Sequence, residues 1–307
     1  MATGGSCPLC GGAGTHAFYA SDRNREITEE HFSYARCETC ATIFMVDVPA
    51  DLGRYYEGDY YQFGPGGEPA WKTSKLRVRA EAYRVELLRR QIATGRLIEI
   101  GSGTGGFAMT AKAAGFDVTS IEMSERCCRY LNEQAGIEAI CSDRPLDALA
   151  SLPAVDVVAL WHVLEHLPNP GEMLELIAEK LTPGGVLALA VPNPRSLQFR
   201  LMGSRWAHLD APRHLCLIPP AALVKKGDEA GMRCVAMTTN DPDGLDCNFF
   251  GWVNAFERRP ASGSISRLGS LAALGMNRVL APVERTGHRG AAITVLLRKE
   301  ERADALT

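Results

Sequence analysis

An apolar run that ends in a cluster of glycines constrains the fold of this 307-residue chain more than any other feature. Residues 97–107 read Leu-Ile-Glu-Ile-Gly-Ser-Gly-Thr-Gly-Gly-Phe. Gly101, Gly103 and Gly105 allow positive φ angles and a close approach of backbone to ligand, as a tight strand-to-helix turn requires. Gly101, Gly103 and Gly106 also match the Gly-x-Gly-x-x-Gly spacing of dinucleotide-binding folds. The glycines therefore predict a nucleotide cradle without identifying the nucleotide.

Composition and charge limit the class of protein. A chain with 46% hydrophobic and 22% charged residues is typical of one large globular domain with an appendage. The net charge of -3 gives no general electrostatic reason to expect a nucleic-acid or membrane partner. The first residues lack the features of a signal peptide, and no apolar run approaches the roughly 18 residues of a membrane span. We therefore expect a cytoplasmic protein without a transmembrane segment.

Two cysteine pairs near the start of the chain predict a metal site. Cys7 and Cys10 form one Cys-x-x-Cys knuckle, and Cys37 and Cys40 form a second. Ten cysteines in a reducing compartment are better explained as metal ligands and core residues than as a disulfide framework. Two knuckles complete a closed Cys₄ site that stabilises a fold and does not activate water. We predict a zinc ribbon over residues 1–48 and a connecting segment over 49–70.

The remainder of the chain alternates between strand and helix patterns, which predicts an α/β fold with a parallel sheet. A long helix is predicted over 71–92, and its basic residues, including Arg84, are interpreted as a solvated face. Predicted strands follow at 97–100, 117–121, 137–141, 155–160, 186–191, 232–238 and 291–297. The last of these comes too late in the chain to begin another strand–helix unit.

An apolar, helical insertion is predicted at about 248–283, between the last two strands. Its second helix carries a stripe of apolar residues that we expect to be buried in the core: Ile265, Leu268, Ala272, Met276 and Val279. A membrane-surface helix is the less favoured interpretation of this stripe. Such an insertion suits a cap over an acceptor pocket or a contact between subunits, so a homo-oligomer stays open.

Of the two carboxylates near the glycine turn, Glu99 distinguishes between the possible ligands of that turn. Glu99 lies two positions before Gly101, where it can bind the ammonium of a methionine moiety but would repel a dinucleotide pyrophosphate. Glu122 lies 21 positions after Gly101, where a carboxylate can accept both ribose hydroxyl protons. Both ligand classes need a carboxylate at the position of Glu122, so Glu99 is the residue that favours S-adenosylmethionine (SAM), which carries no phosphate.

The motif Glu99-x-Gly101-x-Gly103-x-Gly105, with Glu122 and with His162-Val-Leu-Glu165-His166, resembles the class I SAM-dependent methyltransferases. The resemblance covers residues 71–299 and implies a Rossmann-like, seven-stranded sheet with an antiparallel last strand in a domain over 71–307. It also implies a set of cofactor-binding residues: Glu99, Gly101, Ser102, Gly103, Gly105, Glu122, Met123, Asp143, Trp161 and His162.

A narrower resemblance concerns the segments outside this motif. They are Cys-Pro-Leu-Cys-Gly from Cys7, Arg36-Cys37-x-x-Cys40, Tyr55-Tyr56, Asp59-Tyr60-Tyr61, and Trp206-x-x-Leu209-Asp210-x-Pro212-Arg213-His214-Leu215. Together they look like bacterial small-molecule methyltransferases with an N-terminal zinc ribbon. This likeness implies a small-molecule acceptor, methylated at oxygen, in a natural-product or saccharide pathway.

Methyl transfer is an in-line displacement, which needs an aligned acceptor, a dry site and often a base. His166 and His214 are the candidate catalytic bases, since histidine accepts protons near neutral pH. The 162–166 segment is also similar to a Glu-x-x-Glu-His segment of ubiquinone-pathway O-methyltransferases that is implicated in binding a divalent cation. Here His162 replaces the first Glu, which argues against a hard cation.

Two other functions stay open at this point. Some rRNA or tRNA base methyltransferases also carry a zinc ribbon, but the acidic net charge and the lack of an Asn-Pro-Pro-Tyr-like motif make a nucleic-acid partner the weaker alternative. A non-catalytic SAM-binding module is the third possibility.

Overall fold

The computed structural model describes residues 3–56, 61, 63–64, 67–256 and 267–301. Asp59, Tyr60 and Ile265 from the sequence motifs lie outside these residues. The strands are β1 (Thr3–Ser6), β2 (Ala13–Ser21), β3 (His31–Cys37), β4 (Ile43–Met45), β5 (Arg96–Ile100), β6 (Asp117–Glu122), β7 (Glu138–Cys141), β8 (Val155–Trp161), β9 (Leu181–Pro192), β10 (Cys216–Leu217), β11 (Met232–Thr238) and β12 (Ala292–Lys299). The helices are α1 (Lys75–Arg89), α2 (Gly106–Ala113), α3 (Glu125–Tyr130), α4 (Pro145–Ser151), α5 (Pro170–Lys180), α6 (Leu197–Met202), α7 (Pro220–Glu229), α8 (Pro242–Phe256) and α9 (Arg267–Glu284).

The larger sheet has seven strands in the order β11-β12-β9-β8-β5-β6-β7. Strands β5 to β9 run parallel, and β12 pairs antiparallel with both β9 and β11. The predicted α/β fold with its antiparallel late strand is therefore confirmed. The central strands β8 and β9 are buried along almost their whole length, as expected for strands covered by helices on both faces. Because β5 pairs parallel with both β6 and β8, the carboxyl ends of these three strands meet at one edge of the sheet.

The smaller sheet joins the front of the chain to a late segment. Its order is β1-β2-β3-β4-β10, and β10 pairs antiparallel with β4 through Cys216 opposite Phe44. Because β10 begins two residues after His214, the cysteine-rich sheet is built in part from the segment that carries a candidate base. A connection of this kind between positions 172 residues apart, Phe44 and Cys216, leaves no local pattern in the sequence.

The burial predicted for the apolar stripe in the second helix of the insertion is mostly wrong, although Met276 is partly buried against the cluster that includes Trp252 and Ala273. In α9, Leu268 and Val279 are 81% and 72% exposed, and Ala272 is also exposed. The helix instead buries Ala273 and Glu284, and the Glu284 carboxylate accepts hydrogen bonds from Gln198 (3.1 Å) and Trp252 (3.0 Å). Because apolar residues occur on most of its circumference, the choice of the buried face depends on this polar anchor rather than on periodicity.

Candidate functional site

The glycine turn connects β5 to α2, with positive φ angles at Gly101 (74°), Gly103 (52°) and Gly105 (80°). A Cβ on Gly101 would lie 2.4 Å from Val163, and one on Gly105 would lie 2.4 Å from Leu131. These two glycines are therefore required for close packing as well as for the turn. Gly103 differs, because the nearest atoms to its Cβ position belong to the Tyr61 ring at 3.9 Å. Gly103 is thus the glycine whose free space suits a ligand.

Glu122 ends β6 beside this turn and is 2% exposed. Its Oε2 accepts a hydrogen bond from the Gly103 backbone N–H (2.7 Å), and its Oε1 accepts one from the Ser124 N–H (2.9 Å). The Tyr61 hydroxyl also donates to Oε1 (3.0 Å). The carboxylate is thereby fixed in orientation, and Tyr61 makes the kind of hydrogen bond that a ribose hydroxyl would make. The sequence pattern gave no sign of this contact.

Glu99, on β5, is 3% exposed, and its Oε2 has no hydrogen-bond partner among the described residues. Burial raises the pKa of Glu99 to about 8, with a smaller contribution from the Glu81 carboxylate and an opposing one from Arg84. A buried carboxyl group with one unpaired oxygen is costly unless a cation completes its environment. The position therefore fits the ammonium of a methionine moiety.

The other predicted cofactor residues differ in their environments. Ser102 is buried, with its hydroxyl against that of Ser120. Trp161 is buried, packs against Phe107 with ring centroids 5.1 Å apart, and has no hydrogen-bond partner for its Nε1 within the described ranges. Met123 and Asp143 are both exposed, next to the ends of β6 and β7.

Arg84, predicted to lie on a solvated face, is 5% exposed and lies inside the site. Its guanidinium donates to Glu81 (3.0 Å) and to Asp243 of α8 (2.9 Å), and it stacks over Trp161 at 4.5 Å. Two carboxylates and an aromatic face offset the cost of burying this charge. The spacing of basic residues along α1 could not distinguish Arg84 from its solvated neighbours, because the contact partner Asp243 is remote in sequence.

His162 bridges two carboxylates. It has a positive φ of 57°, its Nε2 lies 2.8 Å from Asp243 Oδ2, and its Nδ1 lies 3.5 Å from Glu165 Oε1. Burial by itself would lower the pKa of His162, but the hydrogen bonds to these carboxylates raise it to about 9. A protonated His162 is suited to holding charge in place, not to accepting a proton at neutral pH.

His166 has the opposite character. Burial, together with the nearby His214, lowers the pKa of His166 to about 4, so the ring is neutral near pH 7. Its Nδ1 lies 3.0 Å from the Arg213 carbonyl oxygen and 2.8 Å from the Tyr56 hydroxyl. Because a carbonyl oxygen only accepts, this pattern assigns the proton to Nδ1 and leaves the lone pair on Nε2.

His214 packs edge-on against His166, with ring centroids 4.6 Å apart. Its Nδ1 lies 2.8 Å from the His208 carbonyl oxygen and donates to it, because a carbonyl oxygen only accepts. The Nε2 of His214 lies 3.9 Å from Oε1 of Glu165, a buried carboxylate that His162 also contacts. Burial opposes ionisation of Glu165, but His162 and His214 hold its pKa below the ordinary value. The two predicted catalytic histidines are thus brought together around one carboxylate.

The grouping of possible metal ligands differs from the predicted segment. Ligand atoms of Glu165, His166 and His214 lie within 4.8 Å of one another, whereas His162 groups with Asp243 and Cys247. Sets rich in imidazole and sulfur are poor ligands for a hard cation such as Mg²⁺, which prefers oxygen. The arrangement agrees with the argument against a hard cation here.

The four predicted cysteine ligands converge. The Sγ atoms of Cys7 and Cys40 are 3.7 Å apart, those of Cys10 and Cys37 are 3.6 Å apart, and those of Cys10 and Cys40 are 3.4 Å apart. Zinc–sulfur bonds of about 2.3 Å in a tetrahedron place sulfurs about 3.8 Å apart. The Cys7 thiol lowers the pKa of Cys40 to about 4, which favours the thiolate that a metal requires. The donor set therefore fits a structural zinc ion.

The cysteine-rich sheet also holds the segment around His214. The Tyr34 hydroxyl donates to the His214 carbonyl oxygen (2.8 Å), and the Met45 N–H donates to the Leu215 carbonyl oxygen (2.8 Å). The Leu215 N–H in turn donates to the carbonyl oxygen of Glu165 (2.8 Å). Backbone bonds thus connect the cysteine-rich sheet with both histidine-bearing segments.

Comparison with known proteins identifies the family to which this chain belongs. Residues 73–237, more than half of the chain, match the family model described as a methyltransferase domain. The chain is 27% identical over 148 residues to a ubiquinone biosynthesis O-methyltransferase of Bordetella avium, covering 45% of this chain and 61% of that protein. It is 29% identical over 170 residues to a protein of the same name from Psychrobacter arcticus, covering 51% and 64%. The matches thus span less than two thirds of these relatives.

The fold has solved counterparts. A SAM-dependent methyltransferase from Archaeoglobus fulgidus superposes with a TM-score of 0.50 at 19% identity, over 73% of this chain and 94% of that one. At this identity the likeness concerns the arrangement of the sheet and its helices.

Proposed function

The chain belongs to the methyltransferase-domain family and carries a SAM-dependent methyltransferase domain, and from this premise we propose that it methylates a hydroxyl oxygen of a small-molecule acceptor. The curated relatives from Bordetella avium and Psychrobacter arcticus bear the name O-methyltransferase, which supports oxygen as the acceptor atom. We keep a natural product or a saccharide as the acceptor class.

The proposed donor site uses the residues at the carboxyl ends of β5, β6 and β8. Glu99 would hold the ammonium of SAM, Gly103 would give the ligand room at the turn, and Glu122 would hold the ribose hydroxyls. The further proposed contacts are Gly101, Ser102, Gly105, Met123, Asp143, Trp161 and His162. When bound, SAM supplies an electrophilic methyl group on a sulfonium.

The neutral His166 ring, packed edge-on against His214, is the observation that carries the acceptor side of the proposal. Each ring gives its Nδ1 proton to a backbone carbonyl, and the neutral His166 ring keeps an Nε2 lone pair that can take a proton from a hydroxyl. The buried Glu165 carboxylate beside His214 would stabilise the imidazolium that forms. Loss of the proton makes the acceptor oxygen a stronger nucleophile for in-line transfer.

We also propose that the four cysteines hold a structural Zn²⁺ in a ribbon over residues 1–48, followed by the connecting segment 49–70 and the methyltransferase domain 71–307. The convergence of the four sulfur atoms supports the metal. The zinc would act on the reaction only through the position of the segment around His214.

The test uses SAM labelled with tritium in its methyl group and a catechol probe, 3,4-dihydroxybenzoate. His166→Ala and His214→Ala are compared with wild type and with His16→Ala, an exposed histidine of β2. We expect at least one of the two variants to lose roughly 10²-fold to 10⁴-fold in kcat, while binding of S-adenosylhomocysteine is retained. Unchanged turnover in both variants would reject the base, and transfer to an amine probe alone would reject O-methylation.

A further inference from the structure

Helix α9 presents an unusually large apolar face on the surface. Leu268, Leu271 and Val279 are 81%, 65% and 72% exposed, and Val283 is 36% exposed. Single exposed leucines are ordinary, but a continuous set on one helix is typical of a surface that contacts something else. Among the described helices, none is long and apolar enough to cross a membrane.

Most of the exposed apolar residues form one arc of the helix, and Leu274, 37% exposed, lies outside it. At 3.6 residues per turn, the positions in the arc span about 120° of the circumference without a polar residue between them. The arc consists of Leu268, Leu271, Ala272, Gly275, Val279, Pro282 and Val283, all exposed. In a globular protein, an apolar stripe of this width on a surface helix normally faces the core.

The charges of this segment lie on one flank of the arc. Arg278 and Arg285 follow one line along the helix axis, since their spacing of 7 residues is close to two whole turns. Arg278 and Arg285 are exposed, and so is Arg289 just beyond. Glu284, the one acidic residue in the α9 sequence, points inward to Gln198 and Trp252. In the described surface from Leu268 to Arg289, the exposed charged side chains are therefore all positive.

We propose that the apolar arc of α9 binds the surface of a lipid bilayer with anionic headgroups, with the helix lying in the plane of the interface. The apolar residues would enter the boundary between headgroups and acyl chains, and the arginines on the flank would meet phosphate groups. A second copy of this chain fits less well, because this face would bring the same arginines and no acidic side chain to balance them.

The position of α9 connects this surface with the candidate site. α9 packs on α8, and α8 provides Asp243, whose carboxylate holds His162 at 2.8 Å. The bilayer contact and the site therefore share one supporting helix, although the proposed contact does not depend on which acceptor is methylated.

The test is cosedimentation of the full chain with vesicles made of equal parts phosphatidylglycerol and phosphatidylcholine, or of phosphatidylcholine alone. We expect binding to the anionic vesicles that weakens as salt is added. Leu271→Glu and Arg278→Glu should each lower the partition coefficient roughly tenfold. Leu201→Glu, at a 64% exposed leucine of α6, and Arg144→Glu, at an exposed arginine outside α9, are the matched controls and should bind as wild type does.

Circular dichroism and binding of S-adenosylhomocysteine verify that each variant is folded. Equal binding to the neutral and the anionic vesicles, or an equal loss in the control variants, would contradict the proposal. The proposal would also be contradicted if the chain bound neither kind of vesicle and formed a dimer in sedimentation equilibrium that Leu271→Glu converts to a monomer. That result would assign the arc to a contact between copies.

Discussion

The Arg213 guanidinium donates a hydrogen bond of 2.7 Å to the carboxylate of Asp22, and both side chains are completely buried. Asp22 follows β2 of the cysteine-rich sheet, and Arg213 precedes His214. Arg213 also donates to Asp210 (2.7 Å), while Asp22 accepts the backbone N–H of Ile27 (3.0 Å). This ion pair fixes the position of the candidate base relative to the front of the chain.

Replacing Asp22 by Asn should destabilise the protein by about 3 kcal/mol, because it leaves the buried Arg213 charge only partly compensated. Unfolding in urea, followed by circular dichroism, measures the change. Asp147→Asn is the control, since its ion pair with Arg144 is exposed and should contribute no more than about 0.5 kcal/mol. Similar losses in the two variants would show that burial of the Arg213 pair has no special weight.

Binding of S-adenosylhomocysteine should depend on pH through Glu99. The pKa of this carboxyl group is raised to about 8, so the carboxylate that attracts an ammonium is the minor form at pH 6 and becomes the major form above pH 8. Affinity should therefore rise with pH between 6 and 8, by up to about tenfold per unit. Isothermal titration calorimetry measures this dependence.

The same carboxyl group makes a prediction for the ligand-free protein. A folded-state pKa above the unfolded value means that the folded state binds the proton more tightly, so the contribution of Glu99 to stability falls as pH rises from about 4.5 to about 8. Glu99→Gln should abolish this fall as well as the pH dependence of binding. A Gln variant that keeps the wild-type pH dependence of affinity would exclude Glu99 as the group responsible.

Removal of the proposed zinc should weaken the whole chain. Cys37→Ser should reduce bound zinc from one equivalent to a small fraction of that amount and lower Tm by several degrees, because structural zinc contributes folding free energy directly. Atomic absorption and thermal unfolding give the two readings. Cys141→Ser, at an exposed cysteine outside the cluster, should change neither. Purified wild-type protein without zinc, and with unchanged Tm after zinc is added, would contradict the assignment.

Local patterns in the sequence were sufficient for much of the fold. The predicted strand at 232–238 coincides with β11, and the strand at 97–100 differs from β5 by one residue. β5 was predictable because a buried strand followed by a glycine turn leaves a signal within a few residues, and β11 because Gly231 separates it from the preceding helix. The helix α4 (Pro145–Ser151) was missed, since it is short and weakly periodic.

The environment of the site was less predictable. Arg84 resembled its solvated neighbours on α1, and its burial depends on Asp243, which lies 159 residues away. The stripe of Leu268 and Val279 suggested a buried face, whereas Glu284 and its partners turn the opposite side of α9 inward. In both cases a polar contact between distant residues decided the result, and such contacts leave no periodic trace.

The sequence by itself determined the α/β order, the glycine turn, the two carboxylates beside it and the pairs of cysteines, because each depends on residues that are neighbours along the chain. Only the tertiary structure decided that β10 completes the cysteine-rich sheet, that Glu165 lies between His162 and His214, and that α9 exposes its apolar arc. Those features arise from the packing of segments far apart in sequence, where burial and hydrogen-bond satisfaction are settled together.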